Sequence, residues 1–341
     1  MIYTLTVNPA IDYHMDLTRS GFTAGQINRS QKEEMFPGGK GLNVSVVLSR
    51  LGVPSIAWGF TAGRTGTLLE SLAGGCGCRC DFIRLPQGET RINVKLDCDE
   101  ETAVNGCGPE IGAAQTEELL RKVRQLTPED TLILSGNLQA GPVNLYEAAS
   151  RICHESGVRF VADTEGDNLK ATLPYHPFLI KPNEEELLAL YNETGKNDLA
   201  EATEALLISL MEKCRADGAR NVLVTLGSRG ALFLSEEGDV FRVTVTGDHK
   251  IVSTVGAGDS AIAGFLAGLQ RCGMQSASPC RNAASGPAGG SPRREHYRHA
   301  LRLSCAAGTA TACAKWLCSG KAAEDMIRCV DVSEVRQFRT D

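Results

Sequence analysis

Short β-branched runs alternate with helix-period segments along most of this chain, and no other feature constrains its fold as strongly. The runs fall at 2–7, 55–60, 131–135, 158–162, 178–180 and 221–226. Between them lie helix-period segments such as 42–51, 114–126, 143–156, 184–191 and 199–216. Strand and helix in turn is the pattern of βαβ units, so the chain is expected to be α/β, with a mostly parallel sheet covered on both faces. Ligands on such sheets bind beyond the carboxyl ends of the strands. The residues that follow each run are therefore the place to look for chemistry.

Two stretches break the alternation. One is 12–36, polar with scattered apolar residues. The other is 89–105, where Thr90-Arg-Ile-Asn-Val-Lys-Leu96 alternates polar and apolar side chains before an acidic turn at 97–101. Period-2 alternation indicates a sheet with one wet face. Both stretches read as parts of a small antiparallel flap beside the main sheet, and an ordinary edge hairpin is the simpler alternative. A third stretch, 272–294, is rich in Gly, Ser, Ala and Pro and reads as a flexible insertion between helices at 258–271 and about 295–315.

Composition removes several function classes. The net charge, 35 − 41 = −6, argues against nucleic acid or an anionic membrane as the main partner. No apolar run reaches the roughly 18 residues of a membrane span, and no basic leader precedes the run at 2–7. The expected compartment is the cytoplasm, where the 13 cysteines would be free thiols. The cluster Cys76-Gly-Cys78-Arg-Cys80 lacks the spacing and the fourth ligand of a metal site.

Four segments could carry chemistry. In Ser253-Thr-Val-Gly256-Ala257-Gly258-Asp259-Ser260, small residues precede an acid and then a helix. Uncrowded backbone N–H groups at a helix start bind anions, and an Asp placed there can take a proton from a hydroxyl nucleophile. The same residues satisfy G-x-G-x-x-A, but a dinucleotide fingerprint opens the first βα unit, and this one lies near the C-terminus. In Pro37-Gly38-Gly39-Lys40-Gly41-Leu42-Asn43, glycines admit a ligand, Lys40 supplies charge and Asn43 projects from a first helical turn. Lys40 is followed by Gly, so this is not a Walker A loop. In Lys181-Pro-Asn183-Glu-Glu-Glu186, Asn183 and Glu186 lie one turn apart, which suits either a helix cap or a Mg²⁺–water–phosphate assembly. Thr225-Leu-Gly227-Ser-Arg-Gly230 follows a strand and suits a nucleotide-lining turn or a plain hairpin.

These segments, taken in order, resemble the ribokinase-like (pfkB-type) sugar kinases, in particular the 1-phosphofructokinase and tagatose-6-phosphate kinase branch. The motifs are TVNPAID at 6–12, GGKGLN at 38–43, TRINVKL at 90–96, LSGNL at 134–138, KPNEEEL at 181–187, VTLGSRGA at 224–231 and STVGAGDS at 253–260. Pro is usual in this family where the chain has Gln139, and Ser where it has Glu165. The resemblance implies a single three-layer α/β/α domain over 1–341, with a small β-sheet lid formed by about 12–36 and 89–105. It implies ATP- and Mg²⁺-dependent phosphorylation of a sugar phosphate and admits a homodimer through the lid. By the same resemblance, Asp259 is the catalytic base and Gly256, Ala257 and Gly258 form the anion hole. Asp12 binds sugar hydroxyls, Gly38, Gly39 and Asn43 form the sugar loop, and Lys40 and Arg91 hold the phosphate that the substrate already carries. Ser135 and Gly136 line the site. Lys181, Asn183 and Glu186 serve the nucleotide and Mg²⁺, the last two through water, and Thr225, Gly227 and Gly230 form the ATP turn.

The expected reaction is conversion of fructose 1-phosphate to fructose 1,6-bisphosphate. A tagatose-6-phosphate kinase and a non-catalytic sugar-phosphate sensor are the alternatives. A nicotinamide oxidoreductase has only the glycine pattern behind it.

Overall fold

The computed structural model describes residues 1–19, 21–98, 102–138, 144–192, 202–244, 256–273 and 296–301, and the backbone of 335–338. Strand β1 (Ile2–Thr6) lies inside the main sheet. On one side it pairs with β4 (Ser55–Thr61), which carries β5 (Arg79–Cys80) and β6 (Ile83–Arg84). On the other side follow β9 (Thr131–Ser135), β10 (Arg159–Asp163), β11 (Leu179–Ile180) and β12 (Val222–Thr225). All these strands are parallel. Strands β13 (Ala231–Leu234), β14 (Val240–Val243) and β15 (Val335–Phe338) extend the edge in antiparallel fashion.

The strands are apolar in continuous runs because both faces are covered. Ile133, Val161 and Leu179 point into a core built with α1 (Lys40–Arg50) and α8 (Ala257–Arg271), through Val44, Val47, Leu48, Phe265 and Leu266. Their neighbours Leu132, Leu134 and Phe160 point the other way, onto α3 (Ala113–Val123) and α4 (Leu145–Ser156). Farther along that face, Ile180, Val222 and Val224 pack under α6 (Glu184–Leu190) and α7 (Glu204–Ala216). Helices α2 (Gly63–Gly75) and α5 (Gly166–Thr172) complete the set of α-helices longer than one turn from 1 to 273 among the described residues. The arrangement is the expected three-layer α/β/α.

A second, four-stranded sheet has the order β3 (Lys32–Gly38), β2 (Ala10–Asp16), β7 (Arg91–Asp97), β8 (Thr102–Asn105). The expected flap is present, but it is mixed rather than antiparallel. The hairpins β2–β3 and β7–β8 are antiparallel, and the central pair β2–β7 is parallel. Period-2 patterning reports which face is wet and says nothing of strand direction. The first hairpin also begins at Ala10 and ends at Gly38, outside the expected 12–36.

Apart from Cys272 and Gly273, the insertion 272–294 lies outside the described residues, as do Gln139, part of the acidic turn at 97–101 and Ser253–Val255 of the glycine motif. Of the helix expected at 295–315, residues 296–301 are described and helical, with Tyr297, Ala300 and Leu301 buried in the α1–α8 core. The described cysteines are free thiols. Burial pushes Cys78 and Cys153 up to about 12, so neither is a thiolate at neutral pH.

Candidate active site

The N-termini of α1 and α8 converge. Helix α8 is entered through Gly256, whose φ of +77° is left-handed, and among the described residues no side chain caps its first N–H groups. The start of the helix is therefore a set of open donors with the positive end of the helix dipole behind them. Asp259 sits in this first turn and is only 6% exposed. Its Oδ2 accepts a 2.8 Å hydrogen bond from Nδ2 of Asn43, in the first turn of α1. Burial and then the nearby Asp163 carboxylate raise the Asp259 pKa to about 7, while Asn43, Lys181 and Lys40 act the other way. A carboxylate with these neighbours can receive a proton near neutral pH.

The ends of β9 and β10 form the floor. Asp163 is buried, and its Oδ1 lies 3.2 Å from Nζ of the equally buried Lys181. Lys181 reaches the turn that carries Asp259: a Cβ on Gly258 would lie 3.0 Å from its Nζ. Ser135 Oγ, Asp163 Oδ2 and Thr164 Oγ1 are buried with no hydrogen-bond partner among the described residues. Gly136 has a φ of +86°, donates to Asp163 O at 2.9 Å and faces open space where a side chain would start. Above them, Lys40 Nζ stands 4.0 Å from Glu186 Oε1. Burial works against the Lys40 charge, but Asp163, Glu186, Asp259 and Glu165 outweigh it and hold the ammonium above its ordinary value.

The small sheet supplies the opposite wall. Register places Ala10 beside both Gly38 and Arg91, and Asp12 beside Asn93. A Cβ on Gly38 would lie 2.5 Å from the Asp12 carboxyl group, so only glycine lets that carboxylate rest there. The Nε of Arg91 donates to Asn8 O at 3.1 Å. Among the described residues no carboxylate forms an ion pair with Arg91. The glycine loop is tied to β1 by Thr6, whose Oγ1 accepts from Leu42 N at 3.0 Å and does the work of the N-cap that Gly39 lacks.

At the start of α6, Asn183 and Glu186 form a capping box: Asn183 Oδ1 accepts from Glu186 N at 2.7 Å, and Glu186 Oε2 accepts from Asn183 N at 2.9 Å. The cap alternative thus holds for Asn183, and Glu186 keeps Oε1 turned toward Lys40. Thr225 bridges to Asn183, and the turn behind it closes through Leu226 N to Gly230 O at 2.8 Å, with Gly227 inside it.

Contacts, ion pairs and backbone bridges thus connect Asp259, Asn43, Lys40, Lys181 and Glu186, with Asn183, Thr225, Gly227 and Gly230 on one side and Ser135 and Gly136 on the floor. Gly38 and Gly39 join this group to Asp12 and Arg91. Three residues that the motifs did not single out belong to the same network: Asp163, Thr6 and Asn93. Asp163 had a signal, since it ends a β-branched run at the carboxyl edge of the sheet.

The model of the pfkB family carbohydrate kinases matches residues 5–323. The chain belongs to that family. It is 36% identical over 272 residues to the 1-phosphofructokinase of Bacillus subtilis, covering 80% of this chain and 86% of the relative. It is 34% identical over 286 residues to the D-tagatose-1-phosphate kinase of Bacillus licheniformis, covering 84% and 90%. Among solved structures, phosphofructokinase-2 from Escherichia coli in complex with substrates and products superposes with a TM-score of 0.79 at 25% identity, covering 96% and 99% of the two chains. Ribokinase of Arabidopsis thaliana, with a TM-score of 0.72 at 19% identity, shares the fold. This pfkB-family protein is therefore a sugar-phosphate kinase, and its G-x-G-x-x-A pattern is the entry to α8 rather than a dinucleotide fingerprint.

Proposed function

We propose that this kinase transfers the γ-phosphoryl group of ATP to the 6-hydroxyl of fructose 1-phosphate, giving fructose 1,6-bisphosphate and ADP. The observation that carries the reading is Asp259, buried at the N-terminus of α8 and held there by the Asn43 amide. Asp259 takes the hydroxyl proton as the oxygen attacks phosphorus. The first N–H groups of α8, with Lys181, receive the negative charge of the group in flight. Catalysis of this kind is positioning plus electrostatics. The Arg91 guanidinium, oriented by its Nε bond to Asn8, and Lys40 suit the phosphate that the sugar brings. A neutral sugar would leave the Arg91 guanidinium partly desolvated without an anionic partner.

The donor set fits Mg²⁺ held mainly by phosphate oxygens and water. The described residues hold no cluster of three metal-ligating side chains, and the capping box leaves one Glu186 oxygen on that side. Mg²⁺ is bound in this way, by few carboxylates and by substrate phosphates. When bound with ATP it neutralises phosphate oxygens, and Glu186, with Asn183 behind it, would hold its water shell.

The sugar is assigned from two relatives named 1-phosphofructokinase, at 36% and 38% identity. The Bacillus licheniformis relative favours a tagatose phosphate as the second reading. ADP release measured with fructose 1-phosphate, tagatose 1-phosphate, fructose 6-phosphate, tagatose 6-phosphate and fructose separates them. The highest kcat/KM is expected with fructose 1-phosphate, and a higher value with any other sugar contradicts the assignment.

The assembly fits a homodimer through the small sheet, which also serves as the lid. On the face turned from Asp12, Met35, Tyr13, Val94 and Val104 form one apolar row across all four strands. Met35 is 44% exposed and Val104 61%, so this apolar row is open to a second copy. The compartment is taken to be the cytoplasm; among the described residues no helix is long and apolar enough to cross a membrane.

A further inference from the structure

We propose that Asn93 is a positioning residue for the sugar: it fixes the Asp12 carboxylate so that a single oxygen faces the substrate hydroxyls. The inference rests on the reading of Asp12 as a sugar ligand.

Asn93 and Asp12 are paired on the adjacent parallel strands β7 and β2. Nδ2 of Asn93 donates to Oδ1 of Asp12 at 2.8 Å, and Asn93 is only 8% exposed. An ionised carboxylate only accepts hydrogen bonds, so the amide must present its NH₂ group to Asp12. That choice turns the Asn93 carbonyl oxygen into the protein, where it is buried with no hydrogen-bond partner among the described residues.

A buried acceptor without a partner costs free energy, and an apolar side chain of the same size would avoid the cost. The amide therefore does nothing for the sheet that leucine could not do. Its contribution is to Asp12. On the other side of the carboxylate lies Gly38, with no side chain between. Held by Asn93 and seated against Gly38, Asp12 keeps Oδ2 without a hydrogen-bond partner among the described residues. One fixed acceptor reads the direction of a hydroxyl, where a rotating carboxylate would accept from several directions. Asn93 thus sharpens affinity for the sugar and leaves the nucleotide untouched.

A double-mutant cycle tests this, with Asp12→Ala, Asn93→Leu and the double variant, reading the Kd of fructose 1-phosphate and of ATP by titration calorimetry. Loss of a hydrogen bond to a charged group predicts an Asn93→Leu Kd for fructose 1-phosphate about 10-fold higher or more, with the ATP Kd within about 2-fold. In the Asp12→Ala background the same change is expected to add less than about 2-fold, because residues that act as one unit are not additive. Asn93→Asp keeps the volume but sets a carboxylate against Asp12, and it serves if the leucine variant does not fold. The same loss of sugar affinity is expected from it. An unchanged sugar Kd in a folded variant, or an equal loss with and without Asp12, overturns the proposal alone. A wild-type protein that does not bind fructose 1-phosphate overturns the substrate reading and this proposal with it.

Discussion

Asp259 shows how far a single side chain depends on its surroundings. Burial and the Asp163 carboxylate favour its protonated form, and the Asn43 amide favours the charged one. Only the ionised form accepts a proton. Activity is therefore expected to be lost as pH falls through about 7 and to level off above it. Asn43→Ala removes a hydrogen bond that stabilises the ionised form, so the acidic limb of the kcat/KM profile is expected to move to higher pH. A pH–rate profile of both proteins checks the direction. Asp259, Asn43 and Lys40 could be singled out in the sequence because glycines mark the turns that carry them. Thr6 and Asn93 could not, because their partners lie on elements brought together only by sheet order, whereas Asp163 was marked only by its place at the end of a strand run. No spacing in the chain says that residue 6 will meet residue 42 or that 93 will meet 12.

At the scale of elements, the α/β alternation was legible because each strand run is buried on both faces and each helix shows one apolar face. Helix α2 was harder to read: four of its thirteen residues are glycine, which blurs its period. Helix α5 buries only Leu169 and Thr172, so it carries no apolar stripe to show one. The small sheet was legible as a sheet but not as a mixed one. Its junction with the core depends on Thr6, which holds the first turn of α1 through Leu42 N. Thr6→Val keeps the shape and deletes the acceptor, leaving a buried N–H unpaired. A loss of about 1–3 kcal/mol in unfolding free energy is expected, measurable by urea denaturation, with an unchanged denaturant midpoint as the contrary result.

For the whole molecule, the sheet order places every proposed site group at the carboxyl ends of the parallel strands or on the small sheet above them. The outward face of that small sheet is where a second copy would bury its apolar row. Val104→Glu puts a charge at the most exposed position of the row and is expected to shift the mass in light scattering from dimer to monomer. A wild-type protein that is monomeric at all concentrations contradicts this assembly. If the kinase site works through Asp259, its amide variant Asp259→Asn turns over little fructose 1-phosphate. The amide keeps the size and the Asn43 neighbour but cannot take the proton. The expected result is a fall in kcat of about 10² or more, with ATP affinity retained. Turnover close to wild type in the folded variant would show that another group takes the proton.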